Sequence, residues 1–166
     1  MQITIFDLEF ECEFFYIHTN SIVEKITFNN RTFYTKLQKE KMPIDAYLFN
    51  QYQAQKVSLA LPLIENDCVN YIVIEYKQDD WQAFYALLKH LLKSLNIEKA
   101  QAYRNSNENL FQLFIPQKKI SLESSYKIVE EIKHLLAFKS KKSYKVYPDN
   151  NLPKNFNIIT LPTQKI

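Results

Sequence analysis

Glycine is absent from all 166 residues, whereas ordinary usage of about 7% would place on the order of twelve in a chain this long. Glycine is the residue that enters positive φ without penalty and lets a backbone come close to a phosphate. Its absence excludes the Walker-type loop, the dinucleotide-binding fingerprint and the glycine-flanked nucleophile elbow. Binding must then use side chains, helix ends and strand surfaces. Cysteine is scarce too: Cys12 and Cys68 are far apart, and no Cys/His cluster has zinc spacing. The histidines His18, His90 and His134 fall in separate segments. No apolar run approaches the ~20 residues of a membrane span. The start, MQITIFDLEFE, carries acids and lacks the basic region of a secretory signal. These features predict a cytoplasmic protein with no membrane contact.

What is present is core-forming. Hydrophobic residues make up 46% of the chain, with 12 Phe, 11 Tyr and a single Trp, enough to place it among folded rather than disordered chains. The net charge of +3 is too mild to prove a nucleic-acid partner by itself. Its distribution is more telling. Between 118 and 145, Lys118, Lys119, Lys127, Lys133, Lys139, Lys141, Lys142 and Lys145 face only Glu123, Glu130 and Glu131. Such a run is either a solvated helix and loop or a phosphate-facing patch.

Periodicity gives the elements. Alternation over the first twenty residues predicts a strand or hairpin, and Ile26–Tyr34 predicts another β segment turning at Asn29-Asn30. Pro43 suits the start of a short helix reaching Gln53. Lys56–Ile64 and Asn70–Tyr76 read as strands joined by Glu65-Asn66-Asp67. Asp79 is the expected cap of a helix to Leu95, with Trp81, Phe84, Leu87, Leu88, Leu91 and Leu95 as its buried stripe. Ala100–Arg104 and Asn109–Ile115 form a further β pair. Ser121 opens a helix to about Phe138, and short strands at Tyr144–Tyr147 and Asn157–Leu161 close the chain. From about 70 to 162 the order is β-α-β-β-α-β, the ferredoxin-like or RRM-like unit. The expected fold class is therefore α+β: an RRM-like lobe over 65–166 and an N-terminal α+β lobe over 1–64, together one structural unit.

Three segments carry a resemblance. LPLIENDCVNYIVIEYKQ (61–78), AYRNSNENLFQLFIP (102–116) and VYPDNNLPKNFNIITLP (146–162) resemble, in order and spacing, the motif-bearing segments of archaeo-eukaryotic primase-polymerases. The likeness is greatest to the primases of TOTE-type conflict systems, and it covers about 45–162. It implies a primase palm on an RRM-like sheet. In that family an Asp-x-Asp pair and a later acid hold divalent magnesium or manganese for nucleotidyl transfer, and a histidine contacts the triphosphate. The corresponding positions here hold Glu75 and Lys77, then Leu110, then Tyr144 and Lys145 ahead of Tyr147-Pro148. The family's glycines are matched by Ser106, Glu108, Lys154 and Phe156.

The resemblance therefore implies a palm without catalytic residues, metal or other cofactor. The expected function is nucleic-acid binding, as an accessory subunit of a replication or mobile-element defence system. The expected contacts are Lys77, Arg104, Lys118, Lys119, Lys139, Lys141, Lys142, Lys145 and Lys154, with Tyr76, Tyr103 and Tyr147 stacking on bases. Two alternatives stand beside it. One is a scaffold subunit docking a helicase or polymerase. The other is an active primase-polymerase using Glu75 with Asp79 or Asp80 as magnesium or manganese ligands.

Overall fold

The computed structural model describes residues 1–140 and 143–166; Lys141 and Lys142 lie outside the described residues. The chain is mixed α+β, with mostly antiparallel strands and three α-helices among the described residues. Its first half builds hairpins. Strands β1 (Gln2–Ile5) and β2 (Leu8–Glu11) pair directly, and β3 (Phe15–His18) follows. β4 (Glu24–Phe28) and β5 (Arg31–Thr35) form a separate two-stranded ribbon, succeeded by β6 (Leu37–Glu40). Helix α1 (Ala46–Gln53) starts at Asp45, whose carboxylate accepts from the Leu48 N–H at 2.7 Å, the standard means of satisfying a free helical N–H.

The second half carries the longer elements: β7 (Leu59–Pro62), β8 (Cys68–Tyr76), α2 (Trp81–Ser94), β9 (Gln101–Asn105), β10 (Leu110–Ser121), α3 (Leu122–Lys139), β11 (Lys145–Tyr147), β12 (Ile158–Thr160) and β13 (Gln164–Lys165). The main sheet has the order β11-β8-β10-β9-β13, with every neighbouring pair antiparallel. A second sheet has the order β12-β7-β3-β6.

Strand alternation sorts the main sheet into two faces. Ile72, Ile74, Tyr76, Phe111, Leu113 and Val146 pack beneath α2 and α3 against Phe84, Leu88, Leu91, Val129, Ile132 and Leu136. On the opposite face Tyr71, Val73, Phe114, Tyr103 and Tyr147 meet the N-terminal half: Ile3, Leu8, Phe10, Phe15, Tyr52 and Leu59. The N-terminal half thus covers the sheet face that would otherwise be open.

Several expectations are corrected. Asp80, not Asp79, occupies the start of α2, and its carboxylate accepts from the Tyr76 hydroxyl at 2.7 Å instead of capping the helix. β10 runs six residues past Ile115, through a register shift between Pro116 and Ile120, so Lys118 and Lys119 lie in a strand rather than in a helix or loop. The boundary at 64/65 does not divide the sheets. β12 leaves the main sheet and pairs with β7 in the second one, because its apolar Ile159 buries beside Leu59 and Leu61. Turn chemistry without glycine is solved mainly by asparagine: Asn29, Asn30, Asn66, Asn96 and Asn109 all have positive φ, as do Asp67, Phe6, Gln55 and Lys119. The short polar side chains of Asn and Asp tolerate that region better than others do.

A candidate lysine-lined site at the end of the main sheet

Five side chains form a row across the covered face of the main sheet. Lys145 of β11 is opposite Glu75 of β8, Glu75 is opposite Gln112 of β10, Gln112 is opposite Tyr103 of β9, and Tyr103 is opposite Lys165 of β13. Directly opposite residues share a face, so the register alone brings a carboxylate, an amide and a lysine together. Gln112 is fully buried; its Nε2 donates to Glu75 Oε1 at 3.0 Å and to the Thr160 carbonyl at 2.9 Å. Its Oε1 has no partner among the described residues. Burial pushes the Glu75 carboxyl above the ordinary glutamate value, while the Gln112 hydrogen bond and the cations Lys145 and Lys77 pull it down.

The row ends in a pocket of about 220 Å³ lined by Glu75, Tyr76, Lys77, Gln78, Leu110, Ser143, Tyr144 and Lys145. The positions matching the resemblance's first motif (Glu75, Lys77), second motif (Leu110) and third motif (Tyr144, Lys145) therefore line one concavity. It lies at the mouth of β8, β10 and β11. Its charged lining is one partly buried carboxylate and two exposed lysines.

Beside it is a chain of polar contacts that the sequence did not disclose. His18 of β3 meets Thr160 Oγ1 through Nε2 at 3.1 Å and Glu108 Oε1 through Nδ1 at 3.4 Å. Lys77 Nζ lies 3.9 Å from the other Glu108 oxygen. Burial lowers the His18 pKa, opposed by Glu108 and assisted by Lys77. These contacts tie the second sheet to the end of the main one. The sequence held one usable signal for this network, Gln112 as the lone polar residue inside the apolar run LFQLFI.

The remaining predicted contacts do not converge. Tyr76, Tyr103 and Tyr147 are buried, with Tyr76 stacked on Phe84 at 4.1 Å, so none offers a ring face for a base. Arg104 faces the helical side, its guanidinium 4.8 Å from the Trp81 ring and donating to Asn109 Oδ1 at 3.0 Å. Lys118, Lys119 and Lys154 gather at the far end of β8. Lys154 pairs there with Asp67 at 2.6 Å, and Val69 and Cys68 pair with Ile120 and Ser121. Nine residues of β8 separate the two ends by about 30 Å at ~3.3 Å per residue. Lys139 is exposed at the end of α3, which runs back toward Lys77 and Lys145.

The donor set does not fit the metal pair that the resemblance implies. Cations flank Glu75 on the two sides where further carboxylates would be needed. Asp80 is engaged by Tyr76 and Asp79 accepts from Asn109 Nδ2 at 3.3 Å. Among the described residues no group of three or more His, Cys, Asp or Glu side chains comes together. No helix among them is long and apolar enough to cross a membrane.

A sequence model of a domain family of unknown function, DUF1882, matches residues 3–70. That stretch is the N-terminal half together with the start of β8. A comparison with curated proteins finds no match.

Proposed function

We propose that the chain is a non-catalytic, primase-palm-like module that binds nucleic acid through the lysine-lined pocket at the end of β8, β10 and β11. The succession β8, α2, β9, β10, α3, β11 and the sheet order β11-β8-β10-β9 support a ferredoxin-like palm. The observation that carries the functional reading is that Glu75, Lys77, Leu110 and Lys145 line one pocket. Where two-metal chemistry needs converging carboxylates, this pocket presents two ammonium groups, Lys77 just past the end of β8 and Lys145 on the neighbouring β11. Lysine binds phosphate as a compact point charge with rotatable donors, so the concavity suits a backbone phosphate and not a divalent ion. Buried Tyr76, Tyr103 and Tyr147 take no part; the sheet face is closed by the N-terminal half, and binding is confined to the sheet's end.

Fluorescence anisotropy with a labelled single-stranded oligonucleotide tests this. Replacing Lys77 and Lys145 together by Ala weakens binding and lowers the slope of log affinity against log salt by about 1.4, at ~0.7 per phosphate contact. An unchanged affinity and slope refute the assignment. The accessory role in replication or defence is part of the same proposal. A helicase or polymerase partner is the second reading, favoured by Met42 and Tyr47, which are 74% and 72% exposed where β6 leads into α1.

A further inference from the structure

The β4–β5 ribbon, Glu24–Phe28 and Arg31–Thr35, lies with its flanking residues in a cationic stretch of the chain. Between Ile22 and Met42 lie Lys25, Arg31, Lys36, Lys39 and Lys41 against Glu24 and Glu40. Five cations less two acids leave three positive charges, equal to the net charge of the whole chain. All five cations are exposed. None of them forms an ion pair among the described residues, whereas Lys77, Lys127, Lys133, Lys154 and Lys165 all do.

The ribbon has two unlike faces. Ile26 is opposite Phe33 and Phe28 is opposite Arg31; the three apolar members are half-buried, and Phe33 packs edge-on against Phe156 at 6.2 Å. This face anchors the ribbon to the body. The other face carries Lys25 opposite Tyr34 and Thr27 opposite Thr32, every one of them exposed. The Tyr34 ring is 57% exposed, with the Lys25 ammonium 5.9 Å from its centre. At the tip Asn29 and Asn30, both at positive φ, make the reversal, and Arg31 lies beside the Phe33 ring at 5.5 Å.

A two-stranded ribbon with a lysine, two hydroxyls and an open aromatic ring on its solvent face, and an exposed arginine at its tip, matches the chemistry of a single nucleic-acid strand. Ammonium and hydroxyl groups meet phosphate, and the ring offers a stacking face that any base can use. An acidic protein surface would use the cations but leave Tyr34 without a base to stack on. We infer that the solvent face of the β4–β5 ribbon, with Lys25 and Tyr34 at its centre and the exposed Arg31 at its tip, is a second nucleic-acid contact that holds single-stranded DNA or RNA. The inference rests on the nucleic-acid reading above but not on the pocket, since the two contacts use different residues.

The experiment compares the full chain with two variants against a fluorescein-labelled 20-nucleotide single strand over a salt series. The ribbon variant is Lys25→Gln with Arg31→Gln and Tyr34→Ala; the pocket variant is Lys77→Ala with Lys145→Ala. All are surface changes in the structure, and thermal melts confirm that each remains folded. The ribbon variant is expected to lose at least tenfold in affinity and about 1.4 in salt slope. Restoring the ring alone, with Tyr34→Phe in place of Tyr34→Ala, recovers part of the affinity but none of the slope. Wild-type affinity and slope in the ribbon variant overturn this inference, and the pocket proposal survives if its own variant binds weakly. The converse pattern supports the ribbon and refutes the pocket. No binding by the wild-type chain at low salt overturns both, and so does ribbon-dependent binding to anionic lipid vesicles without binding to the oligonucleotide.

Discussion

At the scale of residues, Glu75 shows what the pocket favours. Its carboxyl is raised above the ordinary value by burial, so the folded chain holds the proton more tightly than the unfolded one. Stability is therefore fully present below the ordinary glutamate value and declines as pH rises through the raised one. Glu75→Gln keeps an acceptor for Gln112 and removes that loss. Its melting temperature is expected to exceed wild type at pH 7 and to match it near pH 4; a deficit at pH 7 contradicts the assignment. Backbone conformation gives a second test. Gln55 ends α1 at φ 58°, with Lys56 N–H bonding to the Gln51 carbonyl and Gln55 N–H to that of Tyr52, the pattern in which glycine is commonest. Gln55→Gly is expected to stabilise by roughly 0.5–1 kcal/mol in chemical denaturation. A loss would show that the Gln55 side chain contributes more than its strained backbone costs. The missing glycines were legible as an exclusion, and Asn29-Asn30 as a turn. Gln55 and Lys119 at positive φ were not, because neither residue type favours that region: Gln55 sits in the hydrogen bonds that close α1, and Lys119 in the register shift of β10.

At the scale of elements, hydrophobic periodicity located the strands and helices of the main sheet well, since α2 and the apolar runs of β8 and β10 bury continuous stripes. It failed where polar contacts or pairing partners decide. β12 reads as a palm strand, but its partner β7 lies in the other sheet. β13 is two residues long and exposed, held by backbone pairing to Arg104 and Tyr103, so its side chains carry no pattern. Asn105 joins these parts: it is fully buried, its Nδ2 donates to the Leu161 carbonyl at 2.7 Å, and its Oδ1 accepts from the Glu108 N–H at 3.1 Å. Asn105→Ala strands buried backbone groups and is expected to cost about 1–3 kcal/mol. A cost under a few tenths would mean that the closing segment is not fastened there. Leu88, fully buried between α2 and the sheet, is expected to cost about 2–5 kcal/mol as Leu88→Ala.

At the scale of the molecule, the N-terminal half seals one sheet face and the helices seal the other. What remains open are the sheet's ends and the β4–β5 ribbon, where Lys77, Lys145, Lys25 and Arg31 are exposed. The sequence named residues at three motif positions, and these line one pocket. It pointed to the wrong stacking aromatics, because a tyrosine inside a strand reads the same whether its face is open or covered. The most direct test of the lysine pocket as a phosphate site, and not a degraded metal site, is the affinity of Glu75→Gln for a single-stranded oligonucleotide at pH 8 and low salt, with and without manganese. Removing one negative charge beside Lys77 and Lys145 should tighten binding about fivefold, equivalent to roughly 1 kcal/mol for a charge a few Å away in near-aqueous surroundings, regardless of manganese. Weaker binding by the variant, or wild-type binding that depends on manganese and is lost with Glu75, would contradict it.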